Sequence, residues 1–140
     1  MKLGTKTRYG ARAMVELALR YENENGIIPA KEISTHQQVS LKYLEHLLAS
    51  LRSVGLVRSV RGAKGGHTLT RPPEEINLRE IYHVFEGTEG FVECTTSPEL
   101  CDRVDSCVTR EVWAQMYEAC MEILESTTLE DLACRAREKR

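Results

Sequence analysis

Three cysteines in the second half of the chain have a spacing that can do chemistry: Cys94-x6-Cys101-x5-Cys107. They fall in a stretch punctuated by Gly87, Gly90 and Pro98, where no helical period holds the thiols apart. A loop of this kind lets three sulfurs turn toward one point. Thiolates are soft donors that suit an iron–sulfur cluster or zinc. The spacing is not the paired C-x2-C knuckle of structural zinc, which weighs against zinc. Cys107 stands just before a helical pattern, where backbone N–H groups favour a thiolate or an anionic cluster. From the residues alone three readings stay open: a cluster, a zinc ion, or redox-active thiols with no metal. Cys120 falls on an apolar stripe and reads as a small core residue, and Cys134 lies in a charged tail. His36 and His83 are lone histidines and read as packing or surface residues rather than ligands.

A second set of residues has a different chemistry. Ser40, Lys42, Tyr43, Glu45 and His46 share the polar front of a helix whose back is Leu41, Leu44, Leu47, Leu48, Leu51 and Val54. Lys42 can meet a phosphate or a guanine edge, Tyr43 a phosphate or a thymine methyl, and His46 a base edge or a phosphate. Glu45 is repelled by phosphates and is either a solvated helix residue or an element that selects sites offering a cytosine amino group. Shortly after this helix come Arg58, Arg61, Lys64 and His67 around the glycine-rich Gly62-Ala63-Lys64-Gly65-Gly66. Glycines keep such a tip low, so that Arg61 can enter a narrow minor groove and Lys64 can meet a phosphate.

Charge segregates along the chain in the same sense. Residues 1–72 hold 12 Lys/Arg against 5 Asp/Glu, and residues 73–140 hold 7 against 16, so a net +7 half is joined to a net −9 half. A basic half beside an acidic one points to nucleic-acid contact by the first half alone. The length of 140 residues fits one domain or a small domain with an appendage. No apolar run approaches a membrane span and no secretory leader is visible, so a cytoplasmic protein without membrane contact is expected. P-loop, G-x-S-x-G, H-E-x-x-H and dinucleotide fingerprints are missing, which argues against an enzyme.

The elements that must position these residues can be read from periodicity. Met14, Leu17, Ala18 and Tyr21 mark a first helix over roughly 7–21, ended by Asn23-Glu24-Asn25-Gly26. Pro29 opens a short helix over 30–37, with Pro in its first turn. Ser40 caps the next, and Gly55 closes it. Residues 56–61 and 67–71 alternate as a hairpin, stopped by Pro72-Pro73. A short helix is predicted over 78–85 and a long one from Thr109 to about Leu124, with Thr127-Thr128-Leu129-Glu130 as a capping box for a last short helix. The long helix carries Val112, Met116, Cys120, Ile123 and Leu124 as a stripe with little to cover it, which suggests a two-fold dimer, with Trp113 free to pack on the first helix.

Helix, tight turn, longer helix and basic hairpin, in that order, form a winged helix-turn-helix. The expected fold class is therefore mainly α with a small β-hairpin, followed by a long C-terminal dimerisation helix. The division is 1–85 as the DNA-binding domain, 86–108 as a cysteine-containing sensor loop, and 109–140 as dimerisation helix and tail.

The runs Ile28-Pro29-Ala30-Lys31-Glu32-Ile33-Ser34 and Val39-Ser40-Leu41-Lys42-Tyr43-Leu44-Glu45 resemble the motif of the Rrf-two family of bacterial regulators, the IscR and NsrR type. The most specific likeness is Gly55-Leu56-Val57-Arg58-Ser59-Val60-Arg61-Gly62-Ala63-Lys64-Gly65-Gly66, and Arg8-Tyr9-Gly10-Ala11-Arg12-Ala13-Met14 also looks like that family. The resemblance implies a winged-helix homodimer on double-stranded operator DNA, contacted by the segment from Lys42 to His46 and by Arg61. It implies a 2Fe–2S or 4Fe–4S cluster on Cys94, Cys101 and Cys107. Two features depart from the family's pattern: the first cysteine gap is one residue longer than in several members, and Arg110 stands where the cluster-assembly regulator has a ligating histidine. Arginine cannot ligate iron. A fourth ligand would come from Glu93, Glu99, Asp102 or Asp105, from the other subunit, or from a small molecule. The function expected is a DNA-binding regulator controlled by the cluster. The alternative is a thiol-redox or metabolite-responsive winged-helix repressor without one.

Overall fold

The computed structural model describes residues 2–23 and 26–140. Six α-helices and one two-stranded sheet follow in order: α1 (Thr5–Leu19), α2 (Ala30–Gln37), α3 (Leu41–Ser53), β1 (Val57–Val60), β2 (Gly66–Leu69), α4 (Leu78–Glu86), α5 (Val108–Ser126) and α6 (Leu129–Lys139). The first helix lies two residues earlier than its periodicity predicts. Of the turn expected at its end, Glu24 and Asn25 lie outside the described residues.

The core is built where the apolar faces of α1, α2 and α3 meet the hairpin and α4. Ala13, Met14 and Leu17 of α1, Ile33 of α2, Leu44, Leu48 and Leu51 of α3, and Ile81 of α4 are all buried in one cluster. A leucine back on α3 sends that helix's polar front outward, because spacing of three and four residues places the leucines on one stripe. Gly10 of α1 lies directly against the Phe85 ring, so a Cβ there would collide with it. This close approach seats α1 on α4.

Local signals fix the helix ends. Pro29 is the N-cap of α2 rather than a first-turn residue, and Gln38 ends the helix in the left-handed region at φ 55°. The Ser40 Oγ accepts from the Tyr43 N–H at 3.1 Å and caps α3. Gly55 follows α3 at φ +79°, the left-handed conformation that a helix-ending glycine adopts freely. Asn77 and Glu80 form a reciprocal capping box on α4. The box that starts α6 is Thr128 with Asp131, one residue later than the predicted Thr127 with Glu130, because the Asp131 carboxylate reaches back to the Thr128 N–H at 2.9 Å. The last helix runs for 11 residues and docks on α1, with Leu129 and Ala133 joining the core.

The hairpin is antiparallel, with Val57 opposite Leu69 and Val60 opposite Gly66. It is held to the core by a bridge between Ile28 and His67, whose backbone groups exchange hydrogen bonds of 2.8 and 2.9 Å. The long α5 packs chiefly on α4 and not on α1, which α4 and α6 cover. Its inward residues are Tyr117 and Met121, each one position beyond the stripe predicted at Met116 and Cys120. Trp113, expected to reach α1, stays 39% exposed. No described helix is long and apolar enough to cross a membrane.

Candidate nucleic-acid interface and cysteine loop

The front of α3 and the tip of the hairpin present their polar side chains to solvent. Ser40, Lys42, Glu45 and His46 are exposed at the start of α3, and Arg58, Arg61 and Lys64 are exposed on the hairpin. None of these basic residues is used in an ion pair among the described residues, whereas Arg20, Arg71 and Arg79 are paired with Glu32, Glu80 and Glu125. A set of unpaired cations at a helix N-terminus and a hairpin tip is what phosphate binding requires. Gly65 makes the tip possible, since a Cβ there would run into the Val60 carbonyl.

Tyr43 differs from its neighbours on α3 in being half-buried. Its ring meets the edge of Tyr9 on α1 at 6.1 Å between centroids and 85° between planes. The N-terminal segment of α1 therefore borders the exposed front of α3, a juxtaposition that helical periodicity does not reveal. His67, counted with the basic residues of the hairpin in the sequence, is half-buried. Burial lowers its pKa, Arg52 lowers it further, and Glu45 opposes both. Ser59 lies between Arg52 and His67, accepting from Arg52 at 2.9 Å and standing 3.4 Å from the His67 Nδ1.

The cysteine loop leaves the end of α4 and runs through two single 3-10 turns, Glu93–Thr95 and Pro98–Leu100, before α5. Cys94, Cys101 and Cys107 are each half-buried and unbonded to one another. Cys107 is the N-cap of α5, and its sulfur lies 3.3 Å from the Thr109 hydroxyl. Hydrogen bonds from the Thr109 hydroxyl and then from the Arg110 backbone lower its pKa. Arg110, which stands where a fourth ligand was sought, instead donates from Nε to the Cys94 carbonyl at 3.0 Å. It ties the start of the loop to the first turn of α5.

Three soft sulfur donors on one loop fit an iron–sulfur group in donor chemistry. Their positions are more open than a loaded site needs. Among the described residues, no three His, Cys, Asp or Glu side chains stand close enough to hold a metal ion. Loading a cluster would require the loop to draw its sulfurs together.

Past the loop, a groove of about 500 Å³ opens between the N-terminus, α4 and α5, lined by Leu3, Tyr82, Phe91, Cys120, Met121 and Leu124 among others. Cys120 is thus half-buried at a groove wall rather than in the core. Glu86 stands at the same place and binds α1, accepting from the Gly4 N–H and the Thr7 hydroxyl, each at 2.6 Å. The outer face of α5 leaves Val108, Val112 and Ile123 73%, 47% and 65% exposed.

The Rrf2 family, described as an iron-dependent transcriptional regulator, matches residues 3–135. The HTH-type transcriptional regulator CymR of Bacillus subtilis (strain 168) is 41% identical over 133 residues, covering 95% of this chain and 90% of that protein. The solved structure of CymR, the global cysteine regulator of B. subtilis, superposes with a TM-score of 0.82 at 39% identity, covering 96% of this chain and 98% of that one. The T. potens IscR structure gives a TM-score of 0.81 at 37% identity, with coverage of 100% and 91%.

Proposed function

The chain belongs to the Rrf2 family of DNA-binding transcriptional regulators, and from that premise we propose that it is a homodimeric, operator-binding regulator whose DNA affinity is set by an iron–sulfur cluster on Cys94, Cys101 and Cys107. In this reading α3 enters the major groove, with Ser40, Lys42, Tyr43, Glu45 and His46 at base edges and phosphates. Arg61 enters the minor groove, and Arg58 and Lys64 meet phosphates on either side. The exposed stripe of α5 packs against its two-fold mate and sets two reading helices about one DNA turn apart.

The observation that carries the cluster reading is the placement of three thiols on one loop that starts at α4 and ends as the N-cap of α5. When bound, a cluster would supply an iron centre whose oxidation and ligand state report a chemical signal. The chain's own residues do the rest. Cys107 presents its sulfur at the positive end of a 19-residue helix. Arg110 fixes Cys94 relative to that helix and brings a positive charge near the thiolates. Glu86 joins the end of α4, where the loop begins, to the N-terminus of α1, which borders the reading helix. A change in the loop thus has a contiguous route to the DNA-binding face.

A second reading, a thiol-redox or metabolite-responsive regulator with no cluster, is favoured by the open arrangement of the three sulfurs and by the likeness to a cysteine regulator. One experiment separates the two. Anaerobic reconstitution with iron and sulfide should give a coloured protein with bound iron, and Cys94→Ala/Cys101→Ala/Cys107→Ala should lose both and keep its far-ultraviolet circular dichroism. A colourless, iron-free wild type whose duplex affinity responds to thiol oxidation would replace the cluster reading with the second one.

A further inference from the structure

The first helix holds a cation that neither the winged helix nor the cysteine loop accounts for. Residues 2–15 carry Lys2, Lys6, Arg8 and Arg12 and no acidic side chain. Arg12 is exposed, and its guanidinium carbon lies 5.1 Å from the centroid of the Tyr9 ring. Tyr9 in turn packs edge-on against Tyr43, in the first turn of the reading helix. Three residues from two helices therefore form one stack that ends in a free guanidinium.

Two further facts mark this cation as available. Glu16, one helical turn on from Arg12, is already engaged by Gln37 at 2.9 Å, Arg140 at 3.3 Å and His36 at 3.5 Å. Among the described residues Arg12 itself makes no ion pair, unlike Arg20 on the same helix. A guanidinium held over an aromatic face loses less freedom on binding than a solvated one, and its planar fork suits a phosphate. The opposite side of α1 is committed to the core through Gly10 and Phe85, so the Arg12 side cannot turn inward.

We propose that Arg12 is a phosphate-binding residue of the DNA interface, set by the Tyr9–Tyr43 stack at the edge of the reading helix, so that α1 clamps the strand flanking the groove that α3 enters. Resting on the reading-helix placement above, this adds a third contact element to the helix and the wing. Tyr9 is a positioning residue in it, since it acts through Arg12 and Tyr43.

The test is a salt titration of full-length protein on random-sequence duplex DNA, with Arg12→Ala and Arg12→Lys beside the wild type. Neutralising one phosphate contact should lower the slope of log affinity against log salt by about one and weaken binding about three- to tenfold at moderate salt. Arg12→Lys should keep the slope and lose only part of the affinity, because it keeps the charge and loses the stacked plane. Arg12 is exposed, so both variants should melt with the wild type. A folded Arg12→Ala protein with unchanged slope and affinity would overturn the proposal. So would a loss of affinity with the slope intact, which would take the guanidinium off the phosphate backbone. A wild type with no salt-dependent duplex binding would overturn the reading-face assignment itself, and Arg12 with it.

Discussion

Arg61 and Glu86 illustrate two ways a single side chain serves this protein. Arg61 is exposed, unpaired among the described residues and contributes nothing visible to the core. Arg61→Ala should therefore leave the melting curve in place and weaken operator binding by about 1–3 kcal/mol, as read by fluorescence anisotropy. An unchanged affinity would remove the groove contact assigned to it. Glu86 does the reverse. Its carboxylate accepts from the Gly4 N–H and the Thr7 hydroxyl across 82 and 79 residues of chain. Glu86→Ala leaves an uncapped α1 N-terminus and an unpaired Thr7, which is 6% exposed. A loss of about 1–3 kcal/mol in urea unfolding is expected, the usual cost of stripping partners from buried polar groups.

Elements respond to pH through two histidines. His67 on β2 and His83 on α4 both have lowered pKa values, chiefly through burial, with Arg52 adding to the effect at His67 and Arg79 at His83. The His83 Nε2 is buried and has no hydrogen-bond partner among the described residues. A folded state that binds protons less readily than the unfolded chain is stabilised where both imidazoles are neutral. Stability from these groups should be complete above the ordinary imidazole value of 6.5 and should fall as the pH drops below it. Urea midpoints between about pH 8 and about pH 5.5 should show that decline, and His67→Gln or His83→Gln should flatten it. A midpoint that rises on acidification would contradict the burial assigned to both rings. The hairpin feels this most directly, because His67 is also the residue that ties it to Ile28.

At the scale of the whole molecule, the exposed face of α5 is the feature a single chain leaves incomplete. Val112 and Ile123 stand 47% and 65% exposed on a helix whose other side is seated on α4. Scattered exposed apolar residues need no explanation, but two on one helix face beside Val108 and Trp113 make a surface that water penalises. In the dimer proposed above, with this face as its interface, Ile123→Glu should give a monomer in sedimentation velocity where the wild type sediments as a dimer. Operator affinity should then fall by about 10²–10⁴, the avidity lost when two half-sites are no longer read together. A variant that stays dimeric would place the interface elsewhere.

The sequence by itself determined the winged helix-turn-helix. Its signals are local: the leucine back of α3, the Ser40 cap, Gly55 at the helix end and the glycine-rich hairpin tip each act within a few residues. The Rrf2 kinship was legible in the same way, in contiguous runs from Arg8 to Met14 and from Gly55 to Gly66. The three cysteines, proposed here as a donor set, stood out by residue type and spacing, which do not depend on packing. Their separation in space was not, since loop geometry follows from contacts such as Arg110 to Cys94 that no periodicity encodes. The one-residue offset of the α5 stripe and the lowered pKa of His67 likewise depend on which neighbour each helix or strand meets. Arg12 divides between the two: its place over Tyr9 follows from i,i+3 spacing within α1, but only the crossing of α1 over α3 brings that pair beside Tyr43. Long-range packing decides which of the exposed cations are free and where they point.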